Sequence, residues 1–422
     1  MSLRHDAAVA LERTSIMPTS DTKQSPHGAG ESSLNHEKRI LMFTMGNWSH
    51  SNDAIVRALQ QTLPGWQITV VDLLQEFKRH KRGLLACIQD VPVLAWHALR
   101  ERRFDRNNLL YAPATARYLQ RLAHSIAAEL KPVFTMQTTT RFNAGGGKLP
   151  HFTVVDVTLA AVREQYRTLY NSSDIALDRL HAFQQQVYDQ SNAVFAMGKY
   201  VRDSLVHDYQ VAPHCAVAIG AGPNISLGAR SAVAASHKIL FVGTNWQRKG
   251  GPTLLAAFRR LRQKYPQAEL EIVGCTPEVD EPGVQVIGRV PREDLHRYFT
   301  QARVFALPTL LEAFGIVFVE ALHFGLPIIG TNIGAVPEMV ADGVNGYTVR
   351  PGDADAIVDA LDRLFADDAL AQQMGEASYR RAQRFTWEHA GKLMCDKMLS
   401  LASMDQPVLV RPVTRHVTRS LA

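Results

Sequence analysis

Pro308-Thr-Leu-Leu-Glu-Ala-Phe-Gly-Ile-Val-Phe-Val-Glu320 is the stretch of this sequence that decides the fold. It follows an apolar run at 304–307, which predicts a buried strand, and it leads into a predicted helix at 315–324. Glu312 and Glu320 stand on either side of the glycine that opens this helix. A helix N-terminus offers free N–H groups to an anion, and carboxylates accept hydrogen bonds from hydroxyl groups. This combination is typical of a site for a phosphate-linked sugar.

The composition is that of a globular protein with more than one domain. The chain has 422 residues, of which 46% are hydrophobic and 20% charged, and this length exceeds one ordinary core. No apolar run approaches the roughly 20 residues of a membrane span, and the N-terminus lacks the apolar segment of a signal peptide. The four cysteines stand apart without a CxxC pair, which favours neither disulfides nor a zinc site. We therefore expect a cytoplasmic protein without a bound metal.

The net charge of +6 is unevenly distributed. Basic residues follow one another in Lys78-Arg79-His80-Lys81-Arg82 and recur at Arg100, Arg102, Arg103 and Arg106. Such a cluster is typical of a contact with an anionic surface, or of a solvated helix face. No nucleic-acid-binding motif accompanies it. We therefore predict peripheral contact with the inner face of an anionic membrane and no nucleic-acid partner.

Strand-like and helical segments alternate along both halves of the chain. In the first half the predicted strands are 39–45, 67–73, 133–136, 152–156, 193–197 and 215–219. In the second half they are 238–242, 269–273, 304–307 and 327–330. Strands that alternate with helices predict α/β architecture with two doubly wound parallel sheets, whose ligands bind at the carboxyl ends of the strands.

Breaks in the apolar pattern indicate the domain organisation. Gly, Pro and small residues interrupt the pattern between the halves. The predicted order is a disordered tail (1–37), a first Rossmann-like domain on the acceptor side (38–220), a linker (221–236), a second Rossmann-like domain (237–385), a final helix that packs back on the first domain (386–404), and a flexible tail (405–422).

The loop Gly243-Thr-Asn-Trp-Gln-Arg-Lys-Gly-Gly251 lies between a predicted strand and a predicted helix. Arg248 and Lys249 in such a loop reach a diphosphate, because Arg offers a planar fork of donors and Lys a point charge. The neighbouring glycines remove side-chain obstruction. An ordinary basic loop is the alternative for this segment taken alone.

Other residues are candidates for the same cleft. Two carboxylates flanking a sugar also occur in glycosidases, but Glu320 lies inside a predicted helix among apolar residues, which favours a role in holding a hydroxyl group. Asp156 ends a predicted strand that points at the cleft. His50 and His151 are lone histidines near strand ends, and the 145–150 loop is expected to border an acceptor pocket.

Together these motifs resemble the retaining glycosyltransferases of family 4, which have the two-domain GT-B fold with a C-terminal crossover helix. The resemblance covers residues 238–365. It is carried by Gly243…Arg248-Lys249-Gly250, Pro308…Glu312-Ala-Phe-Gly-Ile-Val-Phe-Val-Glu320-Ala, Gly325-Leu-Pro-Ile-Ile-Gly, Val336-Pro-Glu338, Asp342-Gly-Val-Asn-Gly346 and Pro351-Gly-Asp353, followed by Phe385-Thr-Trp387 before the last helix.

The resemblance implies transfer of a sugar, with retention, from a nucleotide diphosphate sugar to a glycan, polysaccharide or lipid-linked acceptor. The donor is expected to be UDP- or GDP-linked, and no other cofactor is expected, because the helix dipole and basic side chains neutralise the leaving diphosphate. The implied contacts are Lys249 and Arg248 at the diphosphate, Glu320 at the ribose, Glu312 at the sugar, the backbone of Phe314, Gly315 and Ile316 at sugar and phosphate, and Gly46 beside the diphosphate. Glu312 and Asp156 are the predicted catalytic residues.

The sequence departs from the family pattern at two positions. Thr244 stands where the family usually has an arginine, at the start of the loop that binds the diphosphate. Arg248 is therefore expected to supply the second positive charge beside Lys249. Val157 stands where many members have a histidine after the strand that ends at Asp156, and Asp156 or His151 is the expected substitute. Two alternatives therefore stay open, a nucleotide-sugar epimerase of the same fold and a catalytically degenerate nucleotide-sugar-binding partner.

Overall fold

The structure is a computed structural model of the chain. It describes residues 38–402 apart from 47, 49, 102–111, 171, 228–232 and 235. The predicted tails at 1–37 and 405–422 lie outside the described residues, as do Arg102, Arg103 and Arg106 of the basic cluster. The described residues belong to one compact unit.

The first half forms a six-stranded parallel sheet in the order β2-β1-β3-β4-β5-β6. Its strands are β1 Arg39–Thr44, β2 Gln67–Asp72, β3 Phe134–Thr138, β4 His151–Val155, β5 Ala193–Ala196 and β6 Ala216–Ala218. Its helices are α1 Ser51–Thr62, α2 Leu73–Arg79, α3 Lys81–Glu101, α4 Pro113–Leu130, α5 Leu159–Tyr170, α6 Asp174–Asp189 and α7 Lys199–His207. Helices on both faces bury the central strands completely, which is why these strands read as continuous apolar runs.

The second half repeats this architecture with the strand order β12-β11-β10-β7-β8-β9. Its strands are β7 Lys238–Val242, β8 Glu269–Val273, β9 Val284–Gly288, β10 Val304–Leu307, β11 Ile328–Thr331 and β12 Gly346–Val349. Its helices are α8 Gly251–Lys264, α9 Leu295–Gln301, α10 Ile316–His323, α11 Val336–Met339, α12 Ala354–Ala366 and α13 Asp368–Ala382, and the last helix of the described chain is α14 Trp387–Ala402.

The predicted pair of doubly wound parallel sheets is confirmed. The sequence analysis missed β9 and β12, which are the two edge strands of the second sheet. Residues 284–287 of β9 and residues 347–348 of β12 are partly or fully exposed. An edge strand has a weaker apolar run than a central one, so its signal in the sequence is weak.

Helix α14 joins the two halves. It packs along α1, and a Cβ on Gly391 would lie 2.8 Å from the carbonyl oxygen of Ala58. At its start the Trp387 indole donates hydrogen bonds to Pro223 and Asn224, each at 3.1 Å. The final helix therefore fixes the segment between the sheets as well as the first half. Among the described residues, no helix is both long and apolar enough to cross a membrane.

Candidate functional site

The predicted site residues follow the carboxyl ends of strands in both sheets. Gly46 comes after β1 and Asp156 after β4, whereas Lys249 follows β7 and Glu312 follows β10. In a parallel sheet these ends share one edge, so each half presents its candidates together. The Tyr200 hydroxyl links the two edges, because it donates to the carbonyl oxygen of Asp156 at 3.2 Å and also to that of Ala313.

Lys249 and Glu312 form a buried ion pair at the edge of the second sheet. The Lys249 Nζ lies 2.5 Å from the Glu312 Oε2, and the two residues are 8% and 5% exposed. Burial lowers the pKa of Lys249, against the opposing attraction of Glu312. Loss of water around both groups strengthens their field on any ligand that enters. The structure therefore brings together the predicted diphosphate cation and the predicted sugar carboxylate.

Backbone contacts fix the loop that carries Lys249. The Arg248 carbonyl accepts from the Leu310 N–H, and the Arg248 Nη1 donates to the Leu311 carbonyl, both at 2.8 Å. Gly250 has a φ of 74°, and a Cβ there would lie 1.8 Å from the Pro308 carbonyl oxygen. The loop can approach the strand end this closely because position 250 has no side chain. Arg248 keeps further N–H donors for an anion.

Helix α10 presents an open N-terminus beside this pair. Its N-cap residue is Gly315, which has a φ of 88° and no side chain to cap the first turn. A Cβ at Gly315 would lie 2.7 Å from the Phe318 ring. Phe314 is buried in the core, which leaves only its backbone for a ligand. The free amides that begin at Ile316 and the positive end of the helix dipole favour an anion here.

Glu320 is a buried carboxylate on the next turns of α10. It is 5% exposed, and its Oε1 accepts a hydrogen bond from the backbone N–H of Asn224 at 3.1 Å. Burial raises the pKa of Glu320 to about 7, while the Asn224 N–H and the charge of Arg292 act in the opposite direction. Asn224 and Arg292 were not among the sequence candidates. Glu320 therefore changes charge near neutral pH.

We expect Glu320→Gln to stabilise the ligand-free protein above neutral pH. In the wild type, the pKa of Glu320 rises from 4.5 to about 7 on folding, so the folded state binds more protons within this window. The free energy of unfolding then falls as pH rises through it. At pH about 8 the amide variant gains roughly 2 kcal/mol, as measured by urea unfolding.

The exposed Glu388 provides the control for this experiment. Glu388→Gln keeps the wild-type pH dependence, because it removes no buried charge. If the stability of Glu320→Gln had the same pH dependence as that of the wild type, the pH dependence would not come from Glu320.

Asp156 lies in the first half of the chain, at the end of β4. Its Oδ2 accepts a hydrogen bond from the Trp48 indole at 3.2 Å. Burial raises the pKa of Asp156 to about 6, and the negative charge of Glu312 raises it further, while the Trp48 bond lowers it. The Tyr200 hydroxyl, which bonds to the carbonyl oxygens of Asp156 and Ala313, brings the segment of Asp156 next to the segment of Glu312.

The remaining sequence candidates have different surroundings. Gly46 has a φ of 72° and no atom within 4 Å of a Cβ built on it, so space is open at the end of β1. His50 is exposed in a left-handed conformation before α1. His151 is 2% exposed at the amino end of β4, bonded to Thr135 and Gln137. Burial lowers the pKa of His151 to about 3. As a substitute for the missing cleft histidine, His151 is wrong, because it lies at the far edge of the sheet.

The 145–150 loop also lies away from the cleft. Its residues Gly147 to Leu149 line a cavity of about 440 Å³ with Lys131 and Thr135. Lys131 ends α4, and Thr135 is near the start of β3. This cavity is therefore at the amino edge of the first sheet, and the expectation that the loop borders the acceptor pocket is not supported.

A second cavity, of about 390 Å³, lies between α3, α4 and α6. It is lined by residues that include Leu94, Arg117, Gln120, Asn143 and Arg179. Helices α4 and α6 each lead into a parallel strand, so their amino ends lie at the carboxyl edge of the sheet. Pro113 and Ala176, at these amino ends, also line the cavity. The cavity also reaches Gln120 and Asn143, whose side-chain amides donate to the Gly145 carbonyl and to Gln190, so it extends along both helices away from these amino ends.

Glu338 and α7 form a contact between the halves that the sequence analysis missed. The Glu338 carboxylate accepts hydrogen bonds from the backbone N–H groups of Lys199 and Tyr200, both at 2.9 Å. These are the first amides of α7, whose N-cap is Gly198 without a capping side chain. The first amides of an uncapped helix need an acceptor from elsewhere, which is a distant side chain, water or a ligand. Glu338 supplies it from the second half and keeps Tyr200 in the cleft.

Within the described ranges, no group of three or more His, Cys, Asp or Glu side chains is arranged to hold a metal ion.

Comparison with known proteins agrees with this geometry. Residues 232–381 match the family glycosyl transferases group 1, and this segment is a domain of that family. The D-inositol 3-phosphate glycosyltransferase of Corynebacterium diphtheriae is 27% identical over 265 residues, which cover 56% of this chain and 62% of that protein. The chain thus spans less than two thirds of the length of this curated relative.

Solved structures show the same fold at low sequence identity. Sucrose-phosphate synthase from Thermosynechococcus elongatus has a TM-score of 0.65 at 18% identity, covering 86% of this chain and 99% of that one. HepE from Anabaena, solved in complex with UDP, has a TM-score of 0.60 at 15% identity, covering 86% of this chain and 100% of that one. The expected GT-B fold is confirmed.

Proposed function

We propose that this chain, whose residues 232–381 form a group 1 glycosyltransferase domain, transfers a sugar from a nucleotide diphosphate donor to an acceptor with retention of anomeric configuration. The observation that carries the proposal is the buried Lys249–Glu312 pair beside the open N-terminus of α10. A cation and a helix end suit a diphosphate, and a fixed carboxylate suits sugar hydroxyls. The site thus has groups suited to both the diphosphate and the sugar of a nucleotide sugar.

Each side chain has a distinct task in the proposed reaction. Lys249, Arg248 and the first amides of α10 stabilise the negative charge that develops on the diphosphate as it leaves. Glu312 holds the sugar through its hydroxyl groups, and Glu320 holds the ribose. Asp156, on the opposite half and close to Glu312, faces the sugar from the acceptor side. Gly46 leaves open space for the diphosphate at the end of β1.

The relatives and the second cavity support a proposal for the two substrates. HepE was solved with UDP, and also with UDP and glucose, which favours a UDP-linked hexose over a GDP-linked one. The curated relative acts on D-inositol 3-phosphate, an acceptor with an anionic group. The cavity between α4 and α6 contains Arg117 and Arg179, and Pro113 and Ala176 line it at the amino ends of both helices. We assign the acceptor, a glycan or a lipid-linked sugar, to this cavity.

A thermal-shift panel of UDP, GDP and ADP sugars tests donor binding. We expect one nucleotide class to stabilise the wild type, by roughly 2.7 kcal/mol at a concentration of about 100 times Kd. The Lys249→Ala/Glu320→Ala variant loses the shift. The control is Lys264→Ala, which removes an exposed lysine at the far end of α8 and keeps the shift. Absence of a shift with every donor would contradict the proposal.

A transfer assay separates the alternatives. An epimerase of the same fold converts the donor without an acceptor, and a degenerate partner binds the donor without converting it; Val157, in place of a histidine, motivates the second alternative. We expect acceptor-dependent transfer that Glu312→Gln abolishes. The anomeric configuration of the product, read by NMR, tests retention.

A further inference from the structure

Helix α3 carries an apolar face that points outward. Six large apolar residues are more than half exposed on this helix, which is unusual for side chains of this size. They are Leu84 at 66%, Leu85 at 58%, Ile88 at 56%, Val91 at 55%, Trp96 at 62% and Leu99 at 76%. At the angular spacing of an α-helix they fall within a sector roughly 140° wide. The stripe from Leu84 to Leu99 is roughly 22 Å long.

The opposite face of α3 attaches the helix to the first half. Ala86, Asp90 and Leu94 are buried there. Asp90 accepts hydrogen bonds from the backbone N–H groups of Ala114 and Thr115, at 2.9 and 2.7 Å, and so caps α4. Between residues 83 and 99, Asp90 is the one Asp, Glu, Lys or Arg residue in the sequence. Its carboxylate faces the protein, so the outward face of α3 is apolar.

Basic residues lie at the amino-terminal end of the stripe. Lys78, Arg79 and Arg82 are exposed, and Arg79 also forms an ion pair with Glu76. A helix with an apolar face and basic neighbours lies in the plane of a membrane, with the apolar side chains among the acyl chains and the cations at anionic headgroups.

We propose that α3 docks the protein onto an anionic lipid surface, with Leu84 to Leu99 inserted and Lys78 to Arg82 at the headgroups. The sequence analysis placed membrane contact on the basic cluster alone; the apolar face adds the hydrophobic part of the binding. Val93 and Leu94 of α3 also line the cavity assigned to the acceptor. Because Leu94 lies on the protein side of α3, docking through the outward face would place this cavity one helix diameter, roughly 10 Å, from the lipid surface. This position favours a lipid-linked acceptor. The inference of a lipid-linked acceptor rests on the proposed function, whereas the inference that α3 docks onto a membrane does not.

Co-sedimentation of the full chain with vesicles tests the docking. The wild type binds vesicles of phosphatidylglycerol and phosphatidylcholine, and Leu85→Glu/Leu99→Glu lowers the partition coefficient roughly tenfold or more. Val344→Glu is the matched control, because Val344 is an apolar residue of the second half that is 58% exposed. We expect this variant to bind vesicles as the wild type does. Lys78→Ser and Arg82→Ser each weaken binding to the anionic vesicles by about fivefold.

Fluorescence locates the inserted face. Lipids with brominated chains quench tryptophan emission of the vesicle-bound wild type, and Trp96→Phe removes most of this quenching. The thermal shift with donor persists in Leu85→Glu/Leu99→Glu, so a failure of docking is distinct from a failure of the proposed function. Equal vesicle binding by this variant and the wild type would overturn the proposal. Self-association of the wild type through α3, without vesicle binding, would equally overturn it.

Discussion

Lys249→Met lowers kcat/KM for sugar transfer by roughly a thousandfold, because the departing diphosphate loses its buried cation. Removing one preorganised charge-stabilising group from an active site costs about 10²–10³ in rate, and Lys249 is also fixed within 2.5 Å of Glu312. Methionine matches the length of the side chain without its charge. Steady-state kinetics with the donor identified in the thermal-shift panel measures the effect.

The same substitution also affects stability, and a second variant separates the two effects. Lys249→Met leaves Glu312 buried without its cation, which costs about 3–5 kcal/mol when one partner of a buried pair is removed. Lys249→Met/Glu312→Gln removes both charges, so it regains most of the stability but not the activity. Urea unfolding and kinetics on both variants test this. Because Glu312 is itself assigned to the sugar, the kinetic comparison uses Lys249→Met at a temperature at which urea unfolding shows it to be folded. Wild-type kcat/KM of the folded variant would show that loss of folding, not loss of the cation, explains the single variant.

Gly250→Ala is expected to destabilise the protein by roughly 4 kcal/mol. The left-handed backbone at this position, with φ of 74°, is unfavourable for any residue with a Cβ. In addition, the new Cβ would lie 1.8 Å from the Pro308 carbonyl oxygen, so the Lys249 loop must move away from the strand end. We therefore expect donor binding to be lost in the fraction of protein that still folds. Thermal unfolding with and without donor measures both effects.

Gly343→Ala is the matched control for this glycine. Gly343 has a similar φ of 71°, and no atom lies within 4 Å of a Cβ built there. This variant therefore has only the conformational cost of about 1–2 kcal/mol, and it keeps donor binding. Equal destabilisation by the two substitutions would show that the approach of the loop to Pro308 contributes nothing.

Much of the fold was predictable because its signals are local. Continuous apolar runs predicted the buried central strands, such as β1 and β10, whereas the partly exposed edge strands β9 and β12 were missed. The candidate site on the second half was predictable for a related reason. Lys249, Glu312 and Gly315 directly follow strands or open helices, and the topology of a parallel sheet brings such positions to one edge.

The sequence by itself determined the succession of the central strands and the helices between them, the glycines that open α8 and α10, and the spacing of Glu312, in the loop before α10, and Glu320 within that helix. These depend on residues close together along the chain. Only the tertiary structure decided which distant groups meet: Asn224 on Glu320, Glu338 on the first amides of α7, and Tyr200 between Asp156 and Ala313. It also decided that α3 turns Asp90 inward and its apolar stripe outward. An apolar period marks a helix face, but the partner of that face depends on packing across the whole fold.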